Sequence, residues 1–189
     1  MKTKIDEGWH AEIFLTGKGT VIKKFKKGLE KNFEKEIYFL SKLKNFDFVP
    51  KLISYNKENL EIEMEYIDGI TFEDFIKIAD KNDIKKVIIK IIEICFTLDK
   101  IHIQKEEMHR PLKHIIIKDN RIVLIDWERA KETNKPKNLT QFFQFLTRND
   151  TLKEKGIDIS DEIKKLIKEY KKSYSNEIYE KIKKYIENV

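Results

Sequence analysis

The sequence predicts an α+β fold, with strands before about residue 67 and helices in most of the remainder. Two observations support this prediction. Runs of β-branched and aromatic residues separated by glycine and asparagine turns occupy the first part of the chain. Further on, apolar residues from Ile84 to about Ile103 cover more than one face at helical spacing, which indicates a buried helix, and more helical patterns follow residue 138.

Composition limits the possible architectures and locations. At 189 residues, the chain is one domain or two small lobes, with 40 % hydrophobic and 38 % charged residues. Its single cysteine, Cys95, excludes an internal disulfide and a cysteine-based zinc site, and its apolar helical surroundings indicate a core residue. The N-terminus lacks an apolar signal region and lysines interrupt the apolar runs, so we expect a cytoplasmic protein without a membrane span.

The net charge of +6 raises the question of a nucleic-acid partner. The 39 basic and 33 acidic residues are interleaved rather than grouped, so such a partner is possible but not favoured. The abundance of Lys, Glu and Ile is typical of heat-adapted proteins, although genomic base composition could give the same bias.

A lysine-bearing hairpin is predicted near the N-terminus. Residues 11–15 and 20–25 form its strands, and Gly17-Lys18-Gly19 forms its turn. Alternation along the second strand places Lys23 with Val21 and Phe25 on one face and Lys24 on the other. One of the two lysines must therefore face inward.

The other predicted elements follow from helical and strand spacing. Thr71, three residues before Asp74, is expected to cap a short helix, and Asp83 to cap the buried helix. The expected helices and strands are a helix at 29–43, strands at 52–55 and 60–66, helices from 72 and at 84–103, strands at 115–117 and 121–125, a helix at 139–146 and a helical section from 160.

The second of the two late strands ends abruptly at Asp126 and Trp127. A carboxylate at the end of a buried strand needs a partner, and a metal ion is one candidate. The alternative is an ordinary strand-end aspartate that caps a loop.

The order of these features resembles the protein-kinase-like fold over about the first 130 to 145 residues. Val21-Ile22-Lys23 resembles the kinase strand lysine, and the helix at Glu36-Ile37-Tyr38-Phe39-Leu40 resembles the helix that supplies its ion-pair partner. Leu124-Ile125-Asp126-Trp127-Glu128 lies where the metal-binding Asp-Phe-Gly motif is found. The likeness is greatest to small archaeal and RIO-like kinases. It implies a two-lobed α+β fold, with a nucleotide-binding lobe at 1–67 and a reduced helical lobe at 68–189.

The resemblance also implies a cofactor pair and a set of site residues. ATP and magnesium are the expected cofactors, with Asp126 as the metal ligand and Lys23, Glu36 and Asp126 as the catalytic residues. The backbone of Glu65 and Ile67 would contact the adenine edge, with Met64 behind the base. The expected nucleotide-binding residues are Gly8, Ala11, Val21, Lys23, Met64, Glu65 and Ile67.

Two segments depart from the kinase pattern. The nucleotide loop has Gly8 followed by Trp9-His10-Ala11, which is not a full glycine-rich loop. In the catalytic loop, His109 falls where kinases have the catalytic aspartate, and His114 falls where they have a metal-binding asparagine. Three hypotheses stay open: His109 accepts the substrate proton, Glu106 or Glu107 does so, or the loop is inactive.

The resemblance implies an ATP-dependent phosphotransferase, a serine/threonine protein kinase or a small-molecule kinase, with an unknown protein or small-molecule acceptor. One alternative is a pseudokinase that binds nucleotide. Another is a basic RNA- or ribosome-associated adaptor that uses the lysine-rich segment Asp161–Val189. That segment contains four tyrosines but no arginine, which argues against base recognition.

Overall fold

The computed structural model describes residues 2–160 and 162–189, and the chain divides into two compact units. The first unit takes in the chain up to Gly69 together with Lys118–Ala130, and the second comprises Ile70–Ile117 and Lys131–Val189. An antiparallel sheet in the first unit and mainly helices in the second confirm the α+β, kinase-like fold. The predicted lobes at 1–67 and 68–189 stay a prediction, because compact packing does not establish independent folding.

The first unit is built on an antiparallel sheet with one helix against it. In the described part of this unit, the sheet has five strands in the order β1-β2-β3-β5-β4. Helix α1 packs against β4 and β5. The elements are β1 (Lys2–Glu7), β2 (Ala11–Thr16), β3 (Thr20–Phe25), α1 (Glu30–Lys42), β4 (Leu52–Asn56) and β5 (Glu61–Glu65).

Strand β1 was not predicted from the sequence. Its six residues are all exposed, so it lacks the apolar alternation that marks a half-buried strand. The strand lies at the edge of the sheet, and its pairing with β2 is irregular between Lys4 and Asp6. Charges and a bulge are common on edge strands, where they discourage pairing with other chains.

Strand β3 lies in the middle of the sheet and carries the buried side chains of Val21, Lys23 and Phe25. The β2–β3 turn depends on Gly19, whose φ of +71° is readily adopted by glycine. Lys23 is paired with Ile13 of β2 and Ile62 of β5. On the α1 side, Phe25 meets Phe33 edge to face, with ring centroids 6.0 Å apart.

The second unit consists mainly of helices around α3. Helix α3 packs against α4 and α7, and it buries Cys95 completely, as predicted. Strand β6 pairs with β8, and β7 with β10. The remaining elements of the chain are β6 (Ile70–Thr71), α2 (Phe72–Ile78), α3 (Lys81–Lys100), β7 (Ile103–Gln104), short 3-10 helices at Glu106–His109 and Pro111–Lys113, β8 (Ile115–Lys118), β9 (Arg121–Leu124), β10 (Lys131–Glu132), α4 (Asn138–Leu146), α5 (Asp150–Glu154), α6 (Ile163–Ser173) and α7 (Asn176–Asn188).

The helix starts test the capping predictions. The Thr71 hydroxyl accepts a hydrogen bond from the amide of Asp74, which confirms the predicted cap of α2. The prediction that Asp83 caps the buried helix is wrong, because α3 begins at Lys81 and the Asp80 carboxylate accepts the amide of Asp83. The first three residues of α3 are polar and exposed, so no apolar residue marks its start. Over residues 2–160 and 162–189, none of the helices has the length and apolar character required to cross a membrane.

A buried carboxylate supplies the N-terminal cap of α4. Residue Lys137 provides no side-chain cap there, and Asp99 of α3 accepts hydrogen bonds from the amides of Asn138 (3.0 Å) and Leu139 (3.3 Å). The Tyr170 hydroxyl of α6 donates to the same carboxylate at 2.9 Å. Burial raises the pKa of Asp99, although these hydrogen bonds favour its charged form. Asp99 therefore joins three helices of the second unit.

We expect Tyr170→Phe to lower the free energy of unfolding by about 1–3 kcal/mol, because it leaves a buried carboxylate short of one donor. At about 2–4 °C per kcal/mol for a chain of this size, thermal denaturation will detect the change. Tyr55→Phe is the matched control, since Tyr55 is half-exposed and its hydroxyl has no partner among the described residues. Equal melting temperatures for the two variants would contradict the structural role of Tyr170.

Candidate functional site

Lys23 is the inward-facing lysine of β3. Only 5 % of Lys23 is exposed, whereas Lys24 is exposed on the other side of the strand. The Lys23 ammonium lies 4.9 Å from the centroid of the Phe25 ring. The alternation expected from the sequence is therefore found, with Lys23 pointing inward.

Within the described chain, three carboxylates surround the Lys23 ammonium. The distances from Nζ are 2.6 Å to Oε2 of Glu36, 2.9 Å to Oδ1 of Asp126 and 3.1 Å to Oε2 of Glu128. The side chains of Glu36 and Glu128 are nearly inaccessible, whereas 38 % of the Asp126 side chain is exposed. The ammonium donates hydrogen bonds to Glu36 and Asp126, and Glu128 adds an ion pair.

Glu36 joins α1 to both β3 and the segment that follows β9. While its Oε2 accepts from Lys23, its Oε1 accepts from the backbone amide of Trp127 at 3.4 Å. The indole of Trp127 is completely buried and donates to the carbonyl of Leu124 at 2.8 Å. This arrangement fixes the position of the residues on either side of Trp127.

Asp126 has a left-handed backbone, with φ of +61°. Such a conformation costs a non-glycine residue about 1–3 kcal/mol, and it persists where the surrounding contacts demand it. The buried Trp127 on one side and the ion pair with Lys23 on the other supply those contacts. Strained residues of this kind are concentrated at functional sites, which supports the choice of Asp126 as a site residue.

Glu128 also contacts the turn between β1 and β2, which contains the predicted nucleotide loop. The His10 ring nitrogen Nδ1 and Glu128 Oε1 form a hydrogen-bonded pair. In the same turn, the amide of Gly8 donates to the carbonyl of Ala11 at 2.9 Å. Sequence reasoning singled out neither His10 nor Glu128 as a site residue. The available signal was that Glu128 occupies the glycine position of the motif that the segment resembles.

The electrostatics of this cluster follow from burial and from an excess of negative charge. Burial alone would lower the pKa of Lys23, but the charges of Glu36, Asp126 and Glu128 outweigh it and raise the pKa above its ordinary value. Burial raises the pKa of Glu36, with Asp126 and Glu128 acting in the same direction and Lys23 opposing them. One ammonium therefore stands against three acidic groups.

The residues predicted to contact adenine lie on the same unit and are mostly buried. Val21 is paired with Met64 across β3 and β5, and the exposed fractions of Ala11, Val21, Met64 and Ile67 are between 5 % and 9 %. The Glu65 amide donates to the carbonyl of Lys51. The amide of Ile67 has no hydrogen-bond acceptor within residues 2–160 and 162–189, so it is available to a ligand.

Arg121 of β9 holds the segment around Glu65, a contact that sequence reasoning missed. Its guanidinium donates to both carboxylate oxygens of Glu65, at 2.5 Å and 3.1 Å, and to the carbonyls of Asp47 and Val49. Partial burial would raise the pKa of Glu65, but Arg121 and the amide of Lys51 hold it below its ordinary value. A forked pair of this type restricts geometry more than a single ion pair does.

The predicted loop residues belong to the second unit. Glu106 forms an ion pair with Lys131, and Glu107 forms one with the completely buried Lys105 at 2.5 Å. The His109 side chain is exposed, and its Nδ1 lies 3.0 Å from the carbonyl oxygen of Glu106. His114 is half-buried and has an interaction partner. Both glutamates are thus engaged in ion pairs, while the His109 ring is accessible.

The match to known proteins agrees with this geometry. A family model of the RIO domain matches residues 17–149, which is more than half of the chain. The chain belongs to the RIO family. This family is protein-kinase-like, and the match includes Lys23, Glu36, Met64 and Asp126, whereas Gly8 and Ala11 precede it. An uncharacterized protein of Methanocaldococcus jannaschii is 31 % identical over 116 residues, covering 58 % of this chain and 99 % of that relative.

Replacing Lys23 with Met will make stability depend more strongly on pH. A carboxyl group whose pKa is higher in the folded state than in the unfolded state reduces stability as pH rises above its unfolded pKa. Glu36 already has a raised pKa, relative to an ordinary value of 4.5, and loss of the Lys23 charge will raise it further. We expect Lys23→Met to cost about 3–5 kcal/mol at neutral pH and less at about pH 5.

Urea denaturation at several pH values will measure this difference. Lys24→Met is the matched control, because Lys24 is exposed and its nearest carboxylate, that of Glu61, lies 3.6 Å away. If the free energies of unfolding of Lys23→Met and the parent differed by the same amount at every pH, the three carboxylates would not carry unbalanced charge.

Proposed function

We propose that this RIO-family protein is an ATP-dependent phosphotransferase whose first unit binds the nucleotide. The observation that carries the proposal is the buried Lys23 ammonium, held between Glu36 and Asp126. Phosphoryl transfer relies mainly on positioned positive charge, because charge on the transferred group must be neutralised. A lysine fixed by a buried glutamate meets that requirement better than a mobile one.

In this proposal, adenine packs on the apolar face formed by Ala11, Val21 and Met64. The available amide of Ile67 would donate to the edge of the base, and Arg121 would hold the neighbouring Glu65 in place. Gly8 would lie near the phosphates. A Cβ at Gly8 would meet only the Ala11 carbonyl oxygen, at 3.8 Å, so any need for glycine there would come from the ligand.

Magnesium fits the donor chemistry of this site when the nucleotide is also bound. No group of three or more His, Cys, Asp or Glu residues in the described chain is arranged to hold a metal ion by itself. Magnesium commonly uses one or two carboxylates together with phosphate oxygens, and Asp126 is the accessible carboxylate of the cluster. Bound magnesium would neutralise charge that develops on the phosphates.

In this proposal a side chain of the loop before β8 accepts the proton of the substrate hydroxyl. We favour His109, because it is exposed while Glu106 and Glu107 are held in ion pairs. The acceptor would be a serine or threonine hydroxyl of a protein, or a hydroxyl of a small molecule. A cytoplasmic location and heat adaptation stay predictions.

Nucleotide binding without transfer is a second candidate function. One observation favours it: Glu106 and Glu107, two of the candidate proton acceptors, are held in ion pairs. A protein of this kind would bind ATP and magnesium but would not phosphorylate itself or any acceptor.

Lys23→Met and Asp126→Asn test nucleotide binding. At a ligand concentration of about a hundred times Kd, binding stabilises the parent by about 2.7 kcal/mol, or roughly 5–10 °C in melting temperature. We expect Lys23→Met to lose most of this shift. Asp126→Asn will keep its fold but lose the part of the shift that requires magnesium, since the amide keeps the shape and removes the charge.

Thermal shift with ATP, with and without magnesium, is the measurement, and Lys24→Met is again the control. Failure of ATP to stabilise the parent would refute the proposed function. A full magnesium-dependent shift in Asp126→Asn would mean that this carboxylate is structural.

His109→Ala tests the proposed proton acceptor. General base catalysis contributes typically about 10²–10⁴-fold, so we expect a loss of transfer in that range with nearly unchanged nucleotide affinity. Transfer of labelled phosphate to proteins in a cell extract is the measurement, and Glu106→Gln is the control within the same loop. Equal rates for parent and His109→Ala would exclude His109 as the proton acceptor.

A further inference from the structure

Glu128 is a buried carboxylate that has no role in phosphoryl transfer as proposed above. It is 6 % exposed, its Oε2 lies 3.1 Å from the Lys23 ammonium, and its Oε1 is paired with His10. Burial of a charged group is costly unless its interactions compensate. Glu36 already holds Lys23 by a hydrogen bond of 2.6 Å, so the additional charge of Glu128 acts chiefly on what else approaches the ammonium.

The charge of Glu128 opposes the binding of metal-free nucleotide. Free ATP is a polyanion, and its phosphates would approach Lys23 against the negative charges of Glu36, Asp126 and Glu128. Magnesium neutralises about two negative charges of the nucleotide, and it also attracts carboxylates. The same buried charge therefore disfavours free ATP and favours the magnesium complex.

The hydrogen bonds of the Lys23 ammonium also favour magnesium-bound ATP over free ATP. The Lys23 ammonium donates hydrogen bonds to Glu36 and Asp126, and Glu128 lies 3.1 Å from its nitrogen, so a phosphate would approach it past three carboxylates. Asp126 is the accessible member, so it is the group able to turn from Lys23 to a metal ion. Magnesium bound to the nucleotide would attract Asp126 and free its donor on Lys23, whereas free ATP brings no cation that could do so.

We propose that Glu128 is a specificity-determining residue that selects magnesium-bound over metal-free nucleotide, and that His10 holds it in place. This inference rests on the proposed nucleotide-binding function. The residues named are on one unit, and the contact between His10 and Glu128 joins the nucleotide loop to the segment after Asp126.

Glu128→Gln provides the test, because glutamine keeps the size and the acceptor oxygen but removes the charge. The dissociation constant of ATP is measured by calorimetry on the full chain, once with excess magnesium and once with a chelator of divalent cations. In the parent, we expect ATP to bind at least about tenfold more tightly with magnesium. In Glu128→Gln, metal-free affinity will rise, and the ratio of the two constants will fall by about tenfold, the effect of one nearby charge.

Glu63→Gln is the matched control. Glu63 is a half-buried carboxylate on β5 that accepts hydrogen bonds from Thr20 and Ser54, so the variant removes the same charge elsewhere on the unit. We expect Glu63→Gln and the parent to have the same ratio of ATP dissociation constants without and with magnesium. A purely structural role of Glu128 would weaken both affinities together and leave the ratio unchanged.

His10→Ala is the second variant and decides the matter if Glu128→Gln does not fold. His10 is only half-buried, and its loss releases Glu128 from the turn. We expect a smaller decrease of the ratio in the same direction. A parent-like ratio in every variant that folds would overturn the inference while leaving nucleotide binding intact. A parent that binds neither form of ATP would overturn the proposed function together with the inference.

Discussion

The first unit is organised around a single ammonium group with more acidic neighbours than it can neutralise. Lys23 reaches them because the middle strand of the sheet alternates its side chains, and Glu36 reaches Lys23 because α1 is packed against the same sheet. The turn after β9 places Asp126 and Glu128 against the same atom. Three separate parts of the sequence therefore depend on one buried cation.

Such a cluster contributes little to stability in comparison with apolar packing. Taking charged groups out of water costs several kcal/mol per ion, and mutual attraction often only balances that cost. A buried cluster of charged side chains with excess negative charge therefore points to a function rather than to a contribution to stability. The apolar contacts around it, such as the edge-to-face pair of Phe25 and Phe33, provide stability without such a cost.

Local patterns made much of the fold predictable. Alternation identified the inward lysine, helical spacing identified α1 and α3, and an apolar run ending in a carboxylate identified Asp126. These signals depend on residues close together in the sequence, as do caps such as Thr71. Boundaries were less certain, as the start of α3 shows, because polar first turns carry no apolar marker.

The missed features share a different physical character. Strand β1 is exposed along its length, so burial imposes no pattern on it. The pairs Arg121–Glu65, His10–Glu128 and Asp99–Tyr170 join residues 56, 118 and 71 positions apart. Basic and acidic residues are common throughout this chain, so nothing local distinguishes a long-range partner from a solvated side chain. Such contacts depend on the fold, so no short segment of the sequence predicts them.

The placement of Cys95 has a practical consequence for following the two units separately. This only cysteine of the chain is completely buried in α3, and burial raises its thiol pKa. The thiolate is the nucleophile that attacks thiol reagents, so modification of the buried Cys95 requires transient opening of the second unit. Both tryptophans belong to the first unit, where Trp127 is buried and Trp9 is almost fully solvated. The kinetics of Cys95 labelling thus report on the second unit and tryptophan fluorescence on the first, without any substitution in the chain.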